Sequence, residues 1–174
     1  YDLPNETAYG ETCAAIALVF WAQRMFELFG HGVYVDVLER ALYNGVLAGV
    51  SAEGNQFFYA NPLASYPYVS PYAHWSGIHT DKHYRRSDWF GCACCPPNLA
   101  RLVASIGHYL YAASADAVFV NVYASSSASL ELGDVPATLE QQTAYPWDGG
   151  VRIEIKAERP ATFTLALRIP GWCR

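Results

Sequence analysis

The chain contains no run of lysines or arginines, and its 11 basic residues are outnumbered by 16 acidic ones, for a formal net charge of −5. Binding a phosphate backbone requires clustered positive charge, so the balance argues against a nucleic-acid partner. No stretch of about 18 apolar residues runs without a polar interruption and no signal peptide opens the chain, so neither a membrane span nor a membrane partner is expected. Internal repeats and low-complexity segments are missing, and the locally serine-rich Ser125–Ser129 reads as a turn. The two separated C-x-x-C pairs of a zinc ribbon are also lacking. A disulfide framework is not expected, because five cysteines is an odd number, their spacing is clustered and 174 residues can bury a core without staples. With 52% hydrophobic and 15% aromatic residues, the chain has the apolar surface to fold as one domain or two small ones.

Three of the five cysteines are packed as Cys92-Ala93-Cys94-Cys95, and the triplet Glu11-Thr12-Cys13 lies far upstream. Thiolates and carboxylates are ligands that zinc accepts in a tetrahedral shell, and Glu11, Cys13 and two of the downstream cysteines would supply four donors. Any single cysteine is more often a small buried hydrophobe, and Cys173 is read that way. Cys94 and Cys95 fit that reading poorly, since neighbours in one turn rarely both point into a core and a vicinal disulfide would be strained. From the residues alone, three roles stand: a catalytic metal centre, a structural zinc that only cross-links the fold, and a thiol redox pair.

Apolar residues recur at helical intervals from Glu11 to Phe29, with Gly30 where a C-terminal cap belongs. A second helix is expected from Tyr34 to Leu47, a short strand over Gln56–Tyr59, a loop over Ala64–Asp88, and a third helix from Pro96 to about Tyr111 with the prolines in its first turn. Beyond Ala113 the pattern alternates, marking strands at Val118–Tyr123, Ser129–Leu132, Val151–Lys156 and Thr162–Ile169. Helices followed by strands imply two units with separate cores. Cys94 and Cys95 fall just before the third helix, where amide hydrogens and the helix dipole are expected to lower both thiol pKa values. Residues two apart in a regular helix do not face one another, so Glu11 and Cys13 can share an ion only if the backbone there is irregular.

Several segments together resemble glycoside hydrolase family 127: Tyr1-Asp2-Leu3-Pro4-Asn5, Glu11-Thr12-Cys13-Ala14, Asp36-Val37-Leu38-Glu39-Arg40, Tyr43-Asn44-Gly45, and Asp88-Trp89-Phe90-Gly91-Cys92-Ala93-Cys94-Cys95-Pro96-Pro97-Asn98 with Ala100-Arg101. Tyr145-Pro146-Trp147-Asp148-Gly149 and Leu167-Arg168-Ile169-Pro170-Gly171-Trp172 carry the likeness into the strand-rich part, and Ser65–Arg86 matches least. The resemblance implies an α+β fragment in which residues 1–112 are the last helices of an (α/α)6 barrel and 113–174 the first strands of a β-sandwich. It implies a zinc-dependent, retaining β-L-arabinofuranosidase acting on an arabinofuranoside-containing glycan.

By the same resemblance, Zn2+ is held by Glu11, Cys13, Cys94 and Cys95, and Cys94 is the nucleophile that forms a thioglycosyl intermediate. Glu39 and Tyr59 match positions near the sugar. The general acid/base glutamate of the family lies upstream of the Tyr-Asp-Leu-Pro-Asn run, so the piece alone is expected to be inactive; Glu6 and Glu53 are read as solvated surface carboxylates. His79 and His83, four apart in a loop, are read as a substrate-contacting or merely exposed pair, and Trp75, Tyr84 and Trp89 could stack on a sugar ring, although aromatics this frequent are more often core. Reduced, metal-binding cysteines point to the cytoplasm, and oligomeric state is not encoded in the pattern.

Overall fold

The computed structural model describes residues 4–5, 8–61, 63–64 and 85–173. It comprises two compact units, one formed by Tyr1–Met25 with Val37–Ala104 and the other by Phe26–Asp36 with Ser105–Arg174. Among the described residues four α-helices run in order: α1 Thr12–Phe29, α2 Gly32–Ala41, α3 Cys95–Ala104 and α4 Gly107–Leu110. Six strands follow among the same residues: β1 Tyr111–Ala113, β2 Ala117–Val120, β3 Ser126–Leu132, β4 Val135–Thr143, β5 Val151–Ala157 and β6 Thr164–Leu167. The chain is thus a mixed α+β molecule, with its helices first and its strands after.

In the first unit, α1 buries Ile16, Val19 and Ala22 at the spacing of one helix face. A fully buried Ile or Val side chain of this kind contributes roughly 1.5–3 kcal/mol, and Ala22 less. By length and composition α1 is also long and apolar enough to cross a bilayer, which the interruptions at Gln23, Arg24 and Glu27 disguise in the sequence. One face of it, at Ile16, Val19 and Ala22, is buried, while Leu18, Trp21, Leu28 and Phe29 are exposed. Gly30, at φ +67°, closes α1 by donating its amide to the Phe26 carbonyl at 2.7 Å, a conformation that costs other residues more.

The second helix differs from expectation at both ends. It starts at Gly32, and its last turns are not α: Leu42–Val46 widen into a π-turn and Leu47–Gly49 tighten into a 3-10 turn. Close packing accompanies the change, because a Cβ on Gly45 would sit 2.7 Å from Ala15 Cβ and one on Gly49 would sit 2.7 Å from Thr12 Oγ1. The short strand expected over Gln56–Tyr59 is reduced to single bridges, Phe57 with Val50 and with Ser87, and Glu11 with Ala60. The third helix ends at Ala104 and a separate turn begins at Gly107, a poor helix interior residue. Most of the expected loop over Ala64–Asp88 lies outside the described residues.

In the second unit, β1-β2-β6 form one three-stranded sheet, with β1 antiparallel and β6 parallel to β2. The other sheet, β3-β4-β5, is an antiparallel meander. Val118 and Val120 from the first sheet and Leu132, Val135, Ala137 and Leu139 from the second form one buried cluster. Gln141, also buried, donates from Nε2 to Tyr111 Oη at 2.8 Å, which lies 2.8 Å from Ser126 Oγ. This polar chain ties the two sheets together.

Three strand expectations change. Ser126–Ser129 belong to β3 instead of a turn, because their register with β4 sets Ser127 opposite Glu140 and Ser129 opposite Thr138. Strand β1 reclaims Tyr111–Ala113 from the helical side. The central strand β4 escaped the reading of alternation, since Pro136 opens it and Glu140-Gln141-Gln142 dilute its apolar face. Gly133-Asp134 is the two-residue hairpin loop into it, with Gly133 at φ +68°.

Candidate metal centre and active site

The site begins with a break in secondary structure. Glu11 is not helical: it bridges Ala60, and its neighbours extend the pairing, with Thr12 N donating to Tyr59 O at 2.9 Å and Asn61 N to Gly10 O at 2.7 Å. Thr12 Oγ1 donates to Phe58 O at 2.8 Å, and Asn61 Nδ2 donates to Gly45 O at 3.1 Å. This lattice pins the segment 58–61 against the start of α1. The α-helix takes over only at Thr12, so Glu11 sits in an extended link and Cys13 in the first turn. The irregular backbone that two ligands two residues apart require is therefore present.

The other two donors come from the start of α3. Cys95 is its first residue, with Cys94 at the cap position. A capping side chain normally accepts from the second or third amide of the helix. Here those residues are Pro96 and Pro97, which carry no N–H, so the Cys94 sulfur is not drawn into capping. The same two prolines leave the second and third positions of the helix without amide hydrogens, so the lowering expected of both thiols is met at Cys94 through other donors and fails at Cys95.

Glu11, Cys13, Cys94 and Cys95 bring their four ligand atoms within 4.8 Å of one another. Cys13 Sγ and Cys95 Sγ are 3.5 Å apart, Cys94 Sγ and Cys95 Sγ 3.8 Å, and Cys94 Sγ and Glu11 Oε1 3.8 Å. A tetrahedral centre with zinc–sulfur and zinc–oxygen bonds of ordinary length sets sulfur atoms about 3.8 Å apart and a sulfur and an oxygen about 3.5 Å apart. The donors have both the chemistry and the spacing for a thiolate-binding metal ion. Cys95 is buried, while Cys94, Cys13 and Glu11 stay partly exposed.

The electrostatics separate the three sulfurs. Burial pushes Cys95 well above the ordinary thiol range, and the nearby Cys13 and Cys94 push it further, against the expectation that its pKa would fall. Burial likewise raises Cys13, only partly countered by the Asn98 hydrogen bond. Burial raises Cys94 too, but hydrogen bonds from Tyr59, Cys13 and Cys95 outweigh it and leave this thiol below its ordinary value. The Tyr59 hydroxyl, 3.5 Å from Cys94 Sγ, is held protonated by that bond and by burial.

Around the four donors lie groups that the sequence did not mark. Tyr9 hydrogen-bonds both Glu11 and Tyr59, and burial raises its pKa. Phe90 packs edge-on to Tyr59 with ring centroids 5.5 Å apart. Asn98 donates from Nδ2 to Cys13 Sγ at 3.2 Å. Helical spacing could have revealed Asn98, one turn beyond Cys94; nothing in the pattern marks Tyr9, which the approach to α1 brings in.

The remaining candidates separate. Glu39 is buried in the first unit and is not part of the four-donor cluster. Cys92 and Cys173 are both exposed, against the buried role read for Cys173, whose amide closes a turn on the Pro170 carbonyl at 2.9 Å. Trp89 is mostly exposed and Glu53 is exposed, as a solvated carboxylate should be. Glu6, Trp75, His79, His83 and Tyr84 lie outside the described residues.

Residues 1–108 match the family model described as "Beta-L-arabinofuranosidase, GH127 catalytic domain", and residues 117–174 match the "GH127 middle domain". A curated relative from Bifidobacterium longum subsp. longum, named non-reducing end beta-L-arabinofuranosidase, is 42% identical over 183 residues, covering 100% of this chain and 26% of its own length. A crystal structure titled as a GH127 beta-L-arabinofuranosidase from Geobacillus stearothermophilus T6 aligns over 99% of this chain and 27% of its own, with 52% identity and a TM-score of 0.87. A further structure, titled as a GH127 beta-arabinofuranosidase, aligns over 99% of this chain and 25% of its own at 45% identity and a TM-score of 0.83. The chain thus spans about a quarter of the length of the relatives it matches.

Proposed function

This chain belongs to glycoside hydrolase family 127, and from that membership we propose that it is a segment of a zinc-dependent retaining β-L-arabinofuranosidase. In this reading the helical unit is the closing part of an (α/α)6 barrel, and the two three-stranded sheets open a β-sandwich. The observation that carries the chemistry is the asymmetry of the cluster: four donors converge, yet Cys94 is both partly exposed and the sulfur whose pKa is lowered. A purely structural zinc site would bury all four of its ligands behind packed side chains.

When bound, zinc keeps the coordinating sulfurs deprotonated at neutral pH. Glu11, Cys13 and Cys95 hold the Cys94 sulfur in place, and Tyr59 Oη lies 3.5 Å from it. The Cys94 sulfur attacks the anomeric carbon; the carbon–sulfur bond forms as the glycosidic carbon–oxygen bond breaks, and the departing oxygen takes a proton from a general acid. Water then attacks from the opposite face, giving its proton to the same residue now acting as base, as the carbon–sulfur bond breaks and returns the electron pair to sulfur; two inversions give net retention. The general acid is assigned to the part of the longer protein that this chain does not span. Tyr59, whose hydroxyl shares the space above Cys94, contacts the sugar, and Glu39 supports the pocket from within the helical unit.

The test is trapping. An electrophilic L-arabinofuranose analogue incubated with the longer protein is expected to form one covalent adduct, located at Cys94 by peptide mass spectrometry, and Cys94→Ser is expected to lose nearly all activity. An adduct on Cys92, or on a carboxylate, refutes the assignment.

A further inference from the structure

The three cysteines of the cluster are not equivalent in what touches them. Cys94 faces Tyr59 and Glu11, and Cys95 is packed against the Tyr59 carbonyl at 3.7 Å. Cys13 instead receives a side-chain amide: Asn98 Nδ2 lies 3.2 Å from its sulfur, a good distance for an N–H···S bond. Asn98 is placed to do so by the helix, since its own backbone N–H donates to the Cys94 carbonyl at 3.2 Å. The first turn of α3 therefore presents Cys94 and Cys95 from one end and the amide of Asn98 from the other.

A terminal amide can flip and offer its oxygen, which would repel a thiolate. Here the flip is blocked. Arg101, three residues on, donates from Nη2 to Asn98 Oδ1 at 2.6 Å, which leaves the NH2 group aimed at sulfur. The guanidinium is itself seated over the Phe20 ring, 4.8 Å from its centroid, on α1, the helix that also carries Cys13. The chain Phe20–Arg101–Asn98–Cys13 thus runs from α1 to α3 and back to α1.

We propose that Asn98, oriented by Arg101, is the positioning residue of the Cys13 ligand: its N–H···S bond fixes the rotamer of Cys13 and withdraws charge from that sulfur, so that Cys13 serves as a ligand while Cys94 keeps its nucleophilicity. The inference rests on the metal-centre reading above. Outer groups that orient a ligand typically alter metal affinity by 10–100-fold when removed. Asn98 touches neither substrate nor the reacting carbon in this assignment.

The experiment uses the longer protein, in which zinc affinity is measured by competition with a chromophoric chelator and the ligand field is read from the sulfur-to-metal charge-transfer band of the cobalt-substituted form. Asn98→Asp keeps the shape but replaces the donor with an acceptor; it is expected to weaken zinc binding about 10–100-fold and to shift the cobalt band. Arg101→Met, a change at an exposed side chain, is expected to shift the same band in the same direction by less, and it serves if Asn98→Asp fails to fold. Parent-like affinity and an unshifted band in a folded Asn98→Asp protein overturn the positioning role while leaving the metal centre intact. Absence of bound zinc in the parent, or full zinc retention in Cys13→Ala, overturns the metal-centre reading itself.

Discussion

At the scale of single residues, four side chains from two sequence-distant segments meet within 4.8 Å, and each has a separable role. Cys95 is buried and close to both Cys13 and Cys94, whereas Cys92 is exposed and lies apart from the cluster. Elemental analysis is therefore expected to find zinc lost in Cys95→Ala and retained in Cys92→Ala, and equal loss in both rejects the ligand set. The sign of the pH dependence follows from the raised thiols. Cys13 and Cys95 both hold their protons more tightly than free cysteine, so in the metal-free protein they are neutral thiols at pH 7. Uptake of the ion must expel those protons, so apparent affinity rises with pH and falls with acid, by about 10-fold per pH unit for each proton released. Chelator competition at several pH values between about 6 and 8 measures the slope, and an affinity flat across that window contradicts the assignment.

At the scale of elements, the site depends on close approach between α1 and the irregular turns after α2. Gly45 and Gly49 are glycines because any Cβ there would collide, with Ala15 Cβ and with Thr12 Oγ1 respectively, each at 2.7 Å. Ala15 and Thr12 are on α1 beside Cys13, and Thr12 also bonds the 58–61 segment. Gly45→Ala is expected to cost about 1–3 kcal/mol by overpacking and to lower zinc occupancy with it. Gly30→Ala has free space around it, so its cost, about 1–2 kcal/mol, comes from the left-handed backbone alone and should leave zinc occupancy unchanged. Denaturant titration and metal analysis of the two variants in the longer protein separate these effects, and similar zinc loss in both defeats the packing argument.

At the scale of the whole molecule, the strand-rich unit is closed by one long-range ion pair. Arg168 Nη1 lies 2.6 Å from Asp36 Oδ1 across 132 positions of sequence, and the arginine side chain is only 6% exposed. Its Nε also donates to the Asn121 carbonyl at 2.6 Å, while Gly171 N donates to the same Asp36 oxygen at 3.2 Å. Removing the carboxylate leaves a buried guanidinium without its counter-charge, a defect typically worth about 3–5 kcal/mol. Asp36→Ala is expected to lose that much in a denaturant titration, and Arg168→Met less, since it removes the buried charge instead of orphaning it. An Asp36→Ala protein as stable as the parent shows that the pair is solvated after all.

The residue chemistry was legible in the sequence because it is local. Soft donors clustered as Cys-x-Cys-Cys narrow the chemistry to a metal site or a thiol pair, alternation and helical spacing identify helices and most strands, and Gly30 and Gly133-Asp134 announce their turns. What escaped depends on contacts that spacing cannot encode. The π-turn at Leu42–Val46 goes with the close approach of Gly45 to Ala15, β4 holds despite Pro136 and three polar residues because it has partners on both sides, and the short strand at 56–59 shrinks to bridges. The order of the thiol pKa values was likewise a tertiary outcome: helix position predicts both Cys94 and Cys95 lowered, but burial raises Cys95 while Tyr59, reached from 35 residues away, helps lower Cys94. Sequence determined which atoms are soft enough to bind a metal ion; only the folded backbone decided which sulfur is buried and which stays partly exposed.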